Sequence, residues 1–126
     1  MQSRLNQAPT DANASPTQAK GLMVLAEIDA YLGRAEEAQH EGQKALEMLP
    51  PQRDAIDGAR MAAAYARVAA LGPDSARAVA AVRAAAEWPA AFYYGQLLLD
   101  PVWDSIRKDP VFSAVLAEYA PKDSAP

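Results

Sequence analysis

The residue most able to do chemistry is His40, the only histidine of the chain, set beside Glu36, Glu37 and Glu41. An imidazole among carboxylates on one helical turn suggests a divalent cation site. Metal sites, however, draw three or four ligands from more than one element, and no second cluster accompanies this one. Glu36, His40 and Lys44 also follow an i, i+4 line, the pattern of a solvated helix face, and that reading is preferred. Paired carboxylates are the next candidates, as general acid and base. Asp54 and Asp57 flank a connector, and Asp100, Asp104 and Asp109 sit at helix starts. A carboxylate at an N-cap already has a structural task, accepting orphan amides. There is no cysteine, so disulfides, thiolate zinc sites and cysteine nucleophiles are excluded. The six glycines form neither GxGxxG nor GxxxxGK, and no serine sits in a nucleophile elbow that His40 would serve. The expectation is a chain that is not an enzyme and takes no metal or cofactor.

The elements that must position any site are helical. Hydrophobic residues make up 51% of the chain, and about thirty residues are alanine, the best helix former. A core poor in large side chains then requires helices in close approach. Twelve basic residues against sixteen acidic ones give a net charge of -4. No Lys/Arg cluster stands out, which argues against nucleic acid. No apolar run reaches the roughly 18 residues of a membrane span, and Met1–Ala8 lacks the apolar stretch of a secretory signal. A soluble, cytoplasmic protein is expected.

Turn residues divide the chain into helices. Met1–Ala8 carries a weak helical pattern that ends at Pro9. Ser15-Pro16-Thr17-Gln18 reads as a capping box with proline at the first helical position. From there Leu22, Leu25, Ala26, Asp29 and Leu32 share one face, and Gly33 stops the helix as a C′ glycine does. A second helix carries Ala38, Gly42, Ala45, Leu46 and Leu49 and ends at Pro50-Pro51, which makes an antiparallel hairpin. The pattern recurs after a connector, with Asp57 as N-cap. Met61, Ala64, Tyr65, Val68 and Leu71 form a stripe closed by Gly72-Pro73. A partner helix with Ala78, Val79, Val82, Ala85 and Ala86 closes near Trp88-Pro89. A short helix over Ala90–Leu99 is expected next. Asp100-Pro101 and Asp109-Pro110 then each place an N-cap acceptor before a proline. The tail from Pro121 to Pro126 is expected to fray.

The two hairpins align on Gly33 and Gly72, a period of about 39 residues. Leu22, Leu25, Ala26, Gly33, Ala38, Ala45, Leu46 and Pro50 resemble the tetratricopeptide repeat (TPR) unit. The second unit, with Met61, Ala64, Tyr65, Gly72, Ala78 and Ala85, resembles it less closely. Extra residues in its turn and connector lengthen the 34-residue family period. The family prefers aromatics where Ala35 and Gly42 stand. Asp100, Pro101, Trp103, Asp104, Ile106, Arg107, Asp109, Pro110 and Phe112 resemble a segment closing the TPR arrays of bacterial multidomain regulators. Those arrays follow cyclase, serine/threonine kinase or winged-helix domains.

The resemblance implies an all-α, TPR-like α-solenoid of about two antiparallel hairpins, with short capping helices at the C-terminal end. As a single domain it would divide into 1–9 (tail or end of an earlier helix), 16–50, 57–88, 90–120 and a frayed 121–126. The implied function is a non-enzymatic interaction module of a larger bacterial signalling protein. It would hold a partner peptide or helix in its concave groove; a structural spacer or homodimerisation module is the alternative. The resemblance places Lys20, Met23, Glu27, Ala30 and Tyr31 on that groove, then Ala59, Ala62, Ala66, Ala69 and Ala70. Glu27 and Ala66 stand where carboxylate-clamp TPR domains use asparagine, which argues against chaperone-tail binding. Trp88, Phe92, Tyr93, Tyr94 and Trp103 read as an end cap or a partner hot spot, with Tyr93 or Tyr94 expected to be the exposed one.

Overall fold

The computed structural model describes residues 15–121. The capping box forms as expected. Ser15 Oγ accepts from the amides of Thr17 and Gln18 at 3.0 and 3.4 Å, and Gln18 Oε1 accepts from the Ser15 amide at 3.1 Å. It starts α1 (Pro16–Tyr31), with Pro16 in the first turn. Gly33, at φ +83°, takes the left-handed turn that a side chain would oppose. The Arg34 amide then donates back to the Asp29 carbonyl at 2.8 Å, and α2 (Ala35–Met48) returns along α1.

The connector to the second hairpin corrects one expectation. Asp57 is the first residue of α3 (Asp57–Leu71) and not its cap. Asp54 does the capping, its Oδ1 accepting from the amides of Ile56 and Asp57 at 2.9 and 2.8 Å. These two bonds favour the ionised form and hold the Asp54 carboxyl below its usual pKa. α4 (Ser75–Ala85) follows a cap by Asp74, which accepts from the Arg77 amide at 3.0 Å.

The last third holds α5 (Tyr94–Leu99), a 3-10 turn at Pro101–Trp103 and α6 (Pro110–Tyr119). Helix was expected from Ala90, but the chain turns there, the Ala91 amide donating to the Trp88 carbonyl at 3.0 Å, and helix starts only at Tyr94. Asp100 and Asp109 cap the 3-10 turn and α6, through the amides of Val102 at 3.0 Å and Val111 at 2.8 Å. The structure is all-helical among the described residues. Met1–Ala8 and residues 122–126 lie outside them.

α1 packs on α2 and on α3, α2 also on α3, and α3 on α4. The 3-10 turn lies against α3, and α6 lies against α4 and α5. Helix α3 is thus interior, with core on two sides. Met61, Ala64 and Val68 face Met23, Ala26, Ala45 and Leu49 of the first hairpin. Ala62, Ala63, Ala66 and Ala69 face a second cluster that includes Val82, Leu97, Trp103, Phe112 and Val115. Alanine at these positions lets helix backbones approach closely, as the composition requires.

Two glycines mark the closest approaches. A Cβ on Gly42 would lie 3.0 Å from Cδ1 of Tyr65, so the Tyr65 ring of α3 fills the space beside α2. An aromatic on α2 at this position would compete for that volume. A Cβ on Gly58 would lie 2.3 Å from the Pro50 carbonyl oxygen, which seats the start of α3 directly on the Pro50-Pro51 backbone.

The Asp-Pro segment is a structural device throughout. Trp103, Ile106 and Phe112 are buried, and the Trp103 and Phe92 rings meet edge to face at 5.8 Å. The Arg107 guanidinium donates to the carbonyls of Leu97, Leu98 and Asp100 at 3.2, 2.7 and 2.7 Å. These are orphan carbonyls at the end of α5, so one cation caps that helix. Asp104 holds the guanidinium from the other side at 3.2 Å.

Candidate functional site

An open groove follows α3 on the side flanked by α2 and α4. Its larger part encloses about 490 Å³. Leu46 of α2, Pro50 and Pro51 of the connector, Tyr65 of α3, Ala84 of α4 and Trp88 border it. Trp88 is half-buried because α4 ends at Ala85 and the chain turns before Pro89. The Tyr65 hydroxyl accepts from the Gln39 side-chain amide, which fixes the ring against Gly42. A smaller part, about 360 Å³, lies toward the other end of α2, with His40, Val68, Asp74 and Arg77 on its walls. Gln43 borders both parts.

The charges around the larger part are one-sided. Glu47 and Glu87 stand on its rim, and neither makes an ion pair among the described residues. No lysine or arginine lines it. The smaller part holds Glu36 and His40 together with Asp74 and Arg77, which pair at 3.8 Å.

A carboxyl pair, Asp29 buried and Glu41 half-buried, lies elsewhere, in the α1–α2 interface. Asp29 is only 6% exposed and meets Arg34 Nη1 at 3.4 Å. Glu41 of α2 approaches it, and Glu41 Oε1 is buried without a donor. Burial pushes the Glu41 pKa up to about 7, helped by the hydrogen bond with Asp29 and by the charges of Asp29 and Glu37, while Arg34 opposes the shift. Burial, with the Glu118 charge, also raises the Tyr119 pKa. Glu41, Asp54 and Tyr119 line neither part of the groove. Among the described residues no three His, Asp or Glu side chains are gathered to hold a metal ion.

The residues assigned from the TPR resemblance are scattered over different environments. Lys20 is exposed and reaches Asp57 Oδ2 at 3.2 Å, and Glu27 binds Arg67 Nη2 at 3.0 Å. Both side chains therefore tie α1 to α3. Met23 and Ala66 are buried and present no surface. Ala59, Ala69 and Ala70 are buried as well, because the second core cluster covers that flank of α3. Ala30 lies in the first cluster. Ala62 borders the larger part of the groove and Ala69 the smaller, both with little exposed area. Tyr31 is 73% exposed and Tyr93 is 71% exposed, while Tyr94 is half-buried.

Sequence reasoning passes over Glu47, Trp88 and Glu87 as a group. The signal available is a tryptophan directly before a helix-breaking proline, with acidic residues near the ends of the second helix of each hairpin. Chemically the arrangement is an apolar, aromatic-edged cleft bordered by two carboxylates. A comparison of the chain with protein families, curated proteins and solved structures finds no match.

Proposed function

We propose that this chain is a protein-interaction module of the TPR type that holds a segment of a partner protein. The observation that carries the proposal is the groove of about 490 Å³ over α3, open between α2 and α4. Its apolar floor and polar rim have the make-up of a protein-recognition surface, with an aromatic anchor at the edge. The helix order supports the family resemblance, since the first helix of one hairpin packs on both that hairpin's second helix and the next hairpin's first. The Asp-Pro segment then closes the stack by covering α3 and α4. On this reading the module works in the cytoplasm as part of a larger bacterial signalling protein. No helix among the described residues is long and apolar enough to cross a membrane.

Site-specific photocrosslinking tests the proposal. A benzoylphenylalanine in place of Ala84, an exposed residue on the groove wall, is expected to yield an adduct with a distinct protein in cells. The same group in place of Tyr31 is expected to yield none. Adducts from position 31 alone, or from neither, refute the groove as the binding surface.

A second reading has one specific observation behind it. Val24, Leu25, Ile28 and Leu32 form an exposed apolar stripe along α1, between 44% and 62% accessible. Such a face favours self-association through α1. A concentration-dependent doubling of mass in light scattering, abolished by Leu25→Lys, supports it. A constant monomer mass removes it.

A further inference from the structure

The rim charges and the aromatic edge of the groove together specify a ligand class. Six acidic side chains elsewhere each hold a basic partner: Glu27, Asp29, Asp57, Asp74, Asp104 and Glu118. Glu47 and Glu87 hold none among the described residues, as is also true of Glu36, Glu37, Glu41, Asp54, Asp100 and Asp109; what sets these two apart is that they come from two different segments and line one cleft. Glu47 lies near the end of α2, and Glu87 just beyond the end of α4. The same cleft is lined by Leu46, Tyr65 and the half-buried Trp88, with no cation in the lining.

We infer that the larger part of the groove receives a lysine or arginine side chain of the partner segment. Its aliphatic stem lies against Leu46 and Trp88, and its charged head reaches Glu47 and Glu87. The chemistry fits at each point. Long basic side chains cover apolar surface with their stems while keeping the head wet. An indole attracts a cation over its face, and carboxylates accept charge-assisted hydrogen bonds from it. The same two carboxylates repel phosphate groups and acidic peptides, which excludes nucleic acid and acidic tails from this cleft. This inference rests on the interaction-module reading and adds the partner's chemistry to it.

The test is a selection from a random peptide display library against the full chain, followed by fluorescence anisotropy on the enriched peptides. Those peptides are expected to share a lysine or arginine next to an apolar residue. Replacing that basic residue by glutamine is expected to weaken binding about tenfold, and E47Q/E87Q in the protein to do the same. Both changes are also expected to remove most of the salt dependence. Because neither glutamate holds an ion pair within the fold, the double variant keeps its circular dichroism spectrum and Tm. Enriched peptides that are neutral or acidic, or that bind E47Q/E87Q as tightly as the parent, overturn the cationic partner and leave the module reading intact. A library that yields no binder overturns both.

Discussion

Replacing Glu41 by glutamine separates the burial of this side chain from the burial of its charge. In the folded chain the Glu41 carboxyl titrates near 7, against 4.5 when unperturbed. The folded state therefore keeps a proton that the unfolded state has already released between those two values. Unfolding in this window releases a proton, so rising pH favours the unfolded state. The stabilising contribution is complete below about pH 4.5 and is lost as pH climbs to 7. At about 1.36 kcal/mol per unit, full desolvation would make the loss roughly 3 kcal/mol. Glu41 is only half-buried, and water screening reduces this to about 1–2 kcal/mol. The substituted glutamine carries no charge at any pH, and its amide can donate to Asp29 as the protonated glutamate does. The assay is urea denaturation of both proteins from pH 4.5 to 8.5. E41Q is expected to match the parent at the acid end and to exceed it by about 1–2 kcal/mol above pH 7.5. The charges of Glu37 and Arg34 act on Glu41 itself, so they belong to the shift that the difference measures. A gap that stays constant across the range, or one that closes as pH rises, refutes the carboxyl pair.

Three further substitutions probe the frame that shapes the groove. Gly58→Ala drives a Cβ to 2.3 Å from backbone at Pro50, and thermal unfolding is expected to show a loss of about 3 kcal/mol. Gly21→Ala, on the exposed face of α1 with nothing within 4 Å of the new methyl, is expected to gain up to about 1 kcal/mol from helix propensity. Arg107→Met removes the guanidinium from the carbonyls of Leu97, Leu98 and Asp100 at the end of α5. A loss of about 2 kcal/mol in unfolding free energy by urea titration is expected, with faster amide exchange over Leu97–Asp100.

The helices are legible in the sequence wherever local rules act. The Ser15–Gln18 box, the Gly33 stop and the cap before Pro110 each rest on hydrogen bonds within a few residues, and all three form. The cap of α3 is a harder case, because Asp54 and Asp57 are both acidic and three apart. Only the backbone path decides which one meets the free amides. The groove is less legible for a physical reason. Alanine has little side chain, so its periodicity does not distinguish an open wall from a tight helix contact. Ala66 is fully buried and Ala84 is exposed, yet the two carry the same side chain. Only tertiary packing decides between them: Ala66 lies inside the cluster that α3 forms with α4 and the C-terminal segment, and Ala84 does not. Glu47 and Glu87 lie about 40 residues apart in sequence, and their convergence depends on how α2 and α4 straddle α3.

The most direct measurement of the central claim is an amide chemical-shift map of the 15N-labelled chain titrated with a selected peptide. Perturbations are expected on Gln43, Leu46, Glu47, Ala81, Ala84, Ala85, Glu87 and the Trp88 indole N–H, all bordering the groove over α3. Perturbations confined to Lys20, Glu27 and Tyr31 on α1, or spread without focus over the whole chain, would contradict it.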